Sequence, residues 1–502
     1  MLTFTATYGI AKDADFTVDG FSYAITSTTD LTVEVANGPN EAVVTVPSTV
    51  EYSNITYRVT GIGSEAFCNH KKLTSVDMPS ITYISNGFAR YSNSEGTTWY
   101  GAFYGCKKLS QANIPAATSI GDLAFESCDA LTSVSLPVAT SIGVRAFSGC
   151  DALTSVSLPA ATLIGGIAFD DCKALTSVSL PAATSIGDWA FKSCKALTSV
   201  SLPVATSIGA DAFGSCDALT SVSLPVATSI GDRAFESCKA LTSVSLPVAK
   251  SIGDMAFFGC DALTSVSLPA ATSIGYQAFS LCSALTSASL PVATSIGYEA
   301  FRGSKALTSV TMPVATSIGE RAFLYCDALT SVSLPAATSI GADAFGVCDA
   351  LTSVSLPAAT SIGESAFSGC QSLSDIYVGS DPADCYGSTF DKVTYVTATL
   401  HVPAGCASKY KAADYWKQFN FISEDYDPTG IKNTNAENVK VLCENGNVNI
   451  TGLKNGMKVE FYSVNGQLLG ASVANAGAVS FKTSEHIVIC KMAGTSIKVL
   501  VK

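Results

Sequence analysis

The stretch Ile230–Ala249, IGDRAFESCKALTSVSLPVA, is written again and again along most of this chain. Its leading isoleucine recurs at Ile120, Ile142, Ile164, Ile186, Ile208, Ile252, Ile274, Ile296, Ile318, Ile340 and Ile362, a period of 22 residues. A fixed period of about 20–30 residues means a solenoid, in which one short unit stacks on the next. The constant columns predict its cross-section. Ile230, Ala234, Phe235, Cys238, Leu241, Val244 and Leu246 are apolar and should face inward. Leu241 to Leu246 alternates as a strand does, until Pro247 ends the pairing. The Ser-Ile-Gly step predicts a second short extended segment. Ala-Phe-x-x-Cys has i, i+3 and i+4 spacing and predicts about one turn of helix.

Leu-x-x-Val-x-Leu is the strand signature of a leucine-rich repeat. With Ile62-Gly63, Ala66-Phe67, Leu73-Thr74-Ser75-Val76 and Met78-Pro79, and their downstream copies to Cys370, the pattern resembles the BspA-like, Treponema-type leucine-rich-repeat family of bacterial surface proteins. The periodicity and the resemblance together predict a leucine-rich-repeat solenoid, α/β-type or mainly β, of about fourteen 22-residue coils with a parallel sheet. The resemblance further implies surface display and adhesion to host extracellular-matrix proteins.

The 502 residues carry a net charge of −12 and a pI near 4.8, which argues against nucleic acid or an anionic membrane as partner. Only 14% of residues are charged, and Ser, Thr and Gly supply most of the polar surface, as is common in secreted bacterial proteins. No apolar run approaches the roughly 18 residues of a membrane span. The start lacks a basic region followed by an apolar one, so the chain is expected to begin after a removed signal, with Met1 added or substituted. The expected location is extracellular or the outer-membrane surface.

Twelve of the 17 cysteines form one column, Cys106 to Cys370, with Ser304 replacing one member. Stacked coils about 4.8 Å apart bring these residues near each other, but equivalent side chains point in parallel. The column therefore reads as buried free thiols. It offers no convergent four-ligand metal site.

In chain order, residues 1–60 predict an N-terminal β cap, with strand-like runs at Phe16–Phe21, Leu31–Val35 and Val43–Val46. Residues 61–370 form the solenoid, interrupted near 88–101 by a polar loop with aromatic content, Ala89 to Tyr100. Residues 371–424 predict a carboxyl cap with a last strand at Leu373–Val378 and an aromatic helix from Ala407 to Phe419. Residues 425–439 read as a linker. Residues 440–502 alternate in short strands with Asn-Gly turns at Asn445, Asn455 and Asn465, predicting a small β-sandwich. Val459 to Leu468 and Ile497 to Lys502 resemble carboxyl-terminal sorting domains of Bacteroidetes secreted proteins. His486 to Cys490 stands where that resemblance would place Gly-Val-Tyr.

Catalytic chemistry is not expected. His70, His401 and His486 lie in separate regions, with His70 in the cysteine column, where it reads as a partly buried spacer. No phosphate loop, zinc motif or nucleophile elbow occurs, and no cofactor is predicted. Asp170-Asp171 is the notable carboxylate pair in the repeats and reads as solvated. Asp122, Asp188, Asp232 and Asp254 stand where N-caps to the helical turn belong. The column after Cys mixes signs, as in Asp151, Lys173, Asp217 and Lys239, and predicts weak ion pairs along the edge.

Three functions fit: an interaction protein binding host or microbial macromolecules, a protein of the extracellular-matrix type that the resemblance implies or a glycan; a passive spacer; or a glycan-binding accessory protein. The oligomeric state is left open. Outward strand residues hardly vary, as in Ser133 and Ser135, Ser155 and Ser157, Ser243 and Ser245. Diversity is confined to the four places flanking Ala-Phe. There the candidate contact residues are Met255, Phe258, Tyr276, Tyr298, Leu324 and Tyr325, with Arg302 and Arg321 beside them, and Leu281 and Val347 extend the apolar set. Tyr276 and Tyr298 share a column on adjacent coils, which predicts rings about 5 Å apart. The competing reading is that these side chains fold down and fill grooves between coils.

Overall fold

The structure is a computed structural model describing residues 12–92, 96–427 and 440–500, apart from 445–446, 452, 454, 464–467, 476–477, 484–486 and 493–494. The chain start, the insertion tip Asn93-Ser94-Glu95, the linker from residue 428, the turns at Asn445-Gly446 and Asn465-Gly466, and His486 lie outside the described residues. Two compact units are present. One comprises Met1–Ile376, Ala383–Ala398 and Gln418–Asn420; the other comprises Tyr377–Pro382, Thr399–Lys417 and Phe421–Lys502.

In the first unit each repeat lays down two short parallel strands. Ser133–Ser135 pairs with Ser155–Ser157, Val134 opposite Val156, and the same register continues coil by coil. That ladder is interrupted twice, between Ser243–Ser245 and Ser265–Ser267 and between Ser309–Thr311 and Ser331–Ser333. The Ser-Ile step builds the second ladder without interruption, from Tyr83–Ile84 through Ser119–Ile120 to Ser361–Ile362. It belongs to an 18-stranded sheet whose other members are strands of the N-terminal region. Inside, Phe67, Phe103, Phe125 and their successors to Phe367 stack ring on ring, with centroids 4.9–5.4 Å apart and planes within 10° of parallel. Each ring is fully buried, so each contributes about 1.5–3 kcal/mol of apolar burial.

The Ala-Phe-x-x-Cys segment is not helical. Arg233 and Ser237 sit in the left-handed region, with φ of 56° and 58°, and every regular coil repeats this pair of positive φ values. The consequence is an alternation of donors. The N–H groups of Arg233, Phe235 and Ser237 point along the axis to carbonyls of the next coil, at 2.7–2.8 Å. Those of Ala234, Glu236 and Cys238 close tight turns back to residues three earlier. A helix would send them all to residues four earlier. The aspartates expected as N-caps correct accordingly. Asp232 Oδ1 accepts the N–H of Asp254 at 2.9 Å, and Asp254 Oδ1 accepts that of Tyr276 at 2.8 Å, so each caps a donor in the neighbouring coil.

Other constant columns serve the same axial spacing. Thr242 Oγ1 donates to the carbonyl of Thr220 and Thr228 Oγ1 to that of Thr206, at 3.0 and 3.3 Å. Each column thiol is sealed from solvent and donates to the phenylalanine carbonyl of the coil before, as Cys238 does to Phe213 at 3.1 Å. Ser304 makes the equivalent bond to Phe279 at 3.0 Å. His70 is half-buried in that column, edge-on to Phe67 at 5.5 Å. The glycine after each isoleucine is required by close approach: a Cβ on Gly231 would stand 2.7 Å from the Gly209 carbonyl carbon.

The ends depart from expectation in detail. Phe16–Phe21 is not one strand. Asp19 and Gly20, both at positive φ, turn Phe16–Val18 into an antiparallel hairpin with Phe21–Ser27. Ile55–Ile62 then leads into the solenoid by pairing Gly61-Ile62 with Tyr83-Ile84. The insertion is a β-hairpin rather than a loop, Phe88–Ser92 against Gly96–Tyr100, with Phe88 stacked on Tyr100 at 5.2 Å. At the far end Phe390 continues the ring stack on Phe367, at 5.3 Å, and meets Phe419 edge-on. The expected helix stops early: Ala407–Ala412 is helical, Ala413 is extended, and only Trp416–Gln418 resumes as a 3-10 turn. A helix at Lys392–Thr397 had no periodic signal in so short a run.

In the second unit the terminal residues form a sandwich. Lys440–Glu444, Asn447–Thr451 and Ala478–Lys482 make one sheet; Lys458–Tyr462, Leu468–Val473, Ile487–Met492 and Thr495–Leu500 make the other. Val448, Ile450, Val459, Phe461, Val479, Val488 and Cys490 fill its core.

Two outcomes are expected. Gly231→Ala should cost about 1–3 kcal/mol in denaturant unfolding, because two backbones must separate to admit the methyl group; an unchanged midpoint would contradict the close approach. The thiol column should stay reduced in oxidising buffer, since burial pushes Cys106, Cys238 and Cys282 up to about 12 and each Sγ faces a carbonyl. Mass spectrometry of the native protein finding a Cys128–Cys150 disulfide would refute this.

Candidate partner-binding edge

The turns flanking Ala-Phe form one long edge, and the variable residues stand on it in columns. Of the two left-handed positions in each coil, some carry exposed side chains, as Leu281 and Tyr325 do, while Leu123, Ile167, Asp211 and Glu299 are buried. Tyr276 and Tyr298 stack at 5.4 Å with planes 8° apart. The Tyr298 hydroxyl accepts from Arg321 Nη1 at 2.7 Å, and the same guanidinium lies 5.9 Å from that ring's centroid. Arg321 is also held by Glu320 and Asp343, both at 3.5 Å. Tyr276 remains 42% exposed.

Arg302 and Tyr325 make a second group, the guanidinium 5.8 Å from the ring centroid, with Tyr325 41% exposed. Glu299, nearly buried, pairs with Arg302 at 3.9 Å and accepts from Gln277 at 2.6 Å. Leu281 is exposed, while Phe258, Leu324 and Val347 are half-buried in the columns after Ala-Phe. Met255 lies on the far side of Tyr276 from Tyr298. It lines a groove of about 380 Å³ with Tyr276, Asp254, Arg233, Asp232 and Asp211. The eight candidates thus share one edge but fall into distinct neighbourhoods rather than one patch.

A charged strip nearer the amino end was not foreseen. Arg145 Nη1 grips Glu126 at 3.0 Å while Trp99 of the inserted hairpin lies over its guanidinium at 5.2 Å. Lys192 repeats the device, bonded to Asp211 at 2.8 Å and 5.9 Å from the Trp189 ring. Between them Asp170 is half-buried, which corrects its reading as a solvated acid; Asp171, half-buried too, is bridged to Lys173 at 3.2 Å. Arg145, Trp189 and Lys192 in the two columns beside Ala-Phe were the available signal. The column after Cys behaves as read, with exposed bridges such as Lys173–Asp151 at 3.0 Å and Lys239–Asp217 at 3.8 Å. Among the described residues no group of three or more His, Cys, Asp or Glu could hold a metal ion.

The model of the BspA type leucine rich repeat region (6 copies) matches residues 47–99, 97–206, 206–329 and 316–407. Among solved structures, a leucine-rich repeat protein from Bacteroides ovatus is 30% identical with a TM-score of 0.58, the match covering 72% of this chain and 94% of that one. A leucine rich cell surface protein from Faecalibacterium prausnitzii is 27% identical with a TM-score of 0.41, over 72% of this chain and 94% of that one. No curated protein matches.

Asp170 provides a pH test of the strip. Burial first, and the charge of Asp171 second, push its carboxyl up to about 6, against the opposing pull of Lys192 and Arg145. A raised carboxyl favours the folded state while it is protonated. That contribution is complete below about pH 4, the unfolded value, and is lost as pH rises through about 6. Asp170→Asn should therefore raise the melting temperature at pH 7.5 and leave it nearly unchanged at pH 4. An equal gain at both pH values would refute the assignment.

Proposed function

This chain belongs to the BspA-type leucine-rich-repeat family, whose solenoids generally serve interaction or adhesion, and from that premise we propose that it is an extracellular or surface-displayed binding protein. Its contact surface is the Tyr276–Tyr325 edge, and the partner is a protein of extracellular-matrix type or a glycan. One observation carries this reading. On a solenoid whose outward strand residues are nearly all serine, half-exposed tyrosines and arginines cluster on a single edge. A uniform serine face cannot distinguish one partner from another at particular coils. Fixed aromatic and guanidinium groups can, because they present large contact area at low entropic cost.

Extracellular placement is supported by the weakly charged Ser, Thr and Gly surface and by thiols sealed against an oxidising medium. Among the described residues no helix is long and apolar enough to cross a membrane. For the terminal sandwich we retain the role implied by its resemblance, sorting of the chain to the surface. The near-identity of the serine columns favours a second reading, a passive spacer, which the same experiment separates.

The purified chain is probed on arrays of extracellular-matrix proteins and glycans, beside a variant with Tyr276, Tyr298 and Tyr325 all replaced by Ser. Binding by the parent should fall at least tenfold in the variant, with a stability change below about 2 kcal/mol because all three rings are partly solvated. Binding that survives would move the site elsewhere; a large loss of stability would make the tyrosines packing residues. No binding by the parent would favour the spacer.

A further inference from the structure

The tyrosine stack has one open face, and the chain leaves a hollow against it. Tyr298 covers one side of the Tyr276 ring at 5.4 Å. On the other side the same column carries Asp254, Asp232 and Ala210, whose short side chains leave the 380 Å³ groove that ends on Tyr276. This volume lies at the lower end of the range for small-ligand sites, roughly 300–1,000 Å³. The ring is fixed from behind, since Arg321 anchors the Tyr298 hydroxyl at 2.7 Å.

Resting on the reading of this edge as a contact surface, we propose that the groove holds one neutral sugar ring of a glycan. The C–H face of the sugar lies on Tyr276 and Met255, and its hydroxyls reach Asp232, Asp254 and Arg233. The acceptors decide the ligand class. Asp232 and Asp254 each spend Oδ1 on a backbone N–H of the next coil, at 2.9 and 2.8 Å, leaving Oδ2 alone for a ligand. A guanidinium pairs best with both oxygens of one carboxylate, a fork this arrangement denies. An ammonium would meet Arg233 in the same hollow, and the acid that would compensate, Asp211, is already bound to Lys192 at 2.8 Å. A neutral polyol meets neither obstacle. Each hydroxyl donates to a single oxygen, another accepts from Arg233, and the apolar face covers a ring and a thioether. Arg233 is suited to this, as its side chain is 53% exposed and only loosely tied to Glu236 at 3.7 Å.

The test titrates the full chain by calorimetry with neutral oligosaccharides of glucose, mannose, galactose and xylose, and with poly-lysine as the cationic probe. At least one neutral oligosaccharide should bind. Tyr276→Ala should weaken it at least tenfold and the Asp232→Asn/Asp254→Asn pair about tenfold, while Tyr276→Phe, which keeps the stacking face, should stay within about threefold. Melting curves of each variant separate loss of the site from loss of the fold, and the Phe variant keeps the test valid if Ala unfolds the coil. Binding of none of the neutral sugars, or of poly-lysine in a Tyr276-dependent manner, would overturn the sugar assignment. The edge reading would stand in that case if the triple tyrosine variant still lost a protein partner. Sugar binding that survives Tyr276→Ala but disappears in Tyr325→Ser would overturn the groove and keep the edge.

Discussion

Backbone hydrogen bonds along the solenoid axis hold consecutive coils one strand spacing apart, and the rest of the cross-section is fitted to that distance. In the turn segment two residues four apart take the left-handed region, and with them every second N–H points toward the next coil. The conformation costs roughly 1–2 kcal/mol at each non-glycine residue, and most for a branched side chain such as Ile167 or Val347. The chain accepts that cost in every regular coil because a buried, unpaired N–H would cost a similar amount at each of three donors. The glycine column then follows from how closely the backbones pass, and the phenylalanine stack from a flat side chain repeated at nearly the same spacing.

The cross-section was legible wherever it depended on side-chain chemistry. Ile230, Phe235, Leu241 and Leu246 are all buried, as their constancy and apolarity imply. It was illegible where it depended on backbone sign. Left-handed residues announce themselves when they are glycine, as at Gly149 or Gly259, but the equivalent places in other coils hold Ser127, Asp171 or Tyr325. Ala-Phe-x-x-Cys therefore looked like a helical turn, and the aspartates before it looked like caps for that helix. The inserted hairpin escaped for a related reason. Its two strands carry no alternation of apolar and polar residues, and its pairing is with itself rather than with the repeat.

The candidate edge was legible as columns, because a strict 22-residue period converts sequence position directly into neighbourhood. Tyr276 and Tyr298 stack at 5.4 Å for that reason alone. Contacts between columns carried no such signal. The bond from Arg321 to Tyr298 and the placing of Arg302 against Tyr325 join unlike positions on successive coils, so aligning the repeats does not reveal them. The groove was the hardest to see. It is defined by what Ala210, Asp232 and Asp254 fail to fill, and an unfilled volume has no residue to mark it.

Ser304 shows how far the constant columns are constrained and why variation is pushed to the edge. It replaces a cysteine in a fully buried position and still donates to the carbonyl its predecessors use, at 3.0 Å against 3.1 Å for Cys238. The column thus requires a small donor aimed along the axis, and sulfur chemistry is secondary to it. Interior places accept only substitutions that keep both volume and axial bond, since packing density leaves no slack for either. The serine strand faces are exposed but flat and repetitive. That leaves the four places flanking Ala-Phe, where exposed side chains such as Tyr276, Leu281 and Tyr325 stand on a backbone already fixed by its axial bonds. A residue there can change without disturbing the stack, and its coil number fixes its position along the edge. Side-chain diversity is therefore a matter of which coil carries which residue, and the proposed contact edge from Met255 to Tyr325 is where exposed tyrosines gather on it.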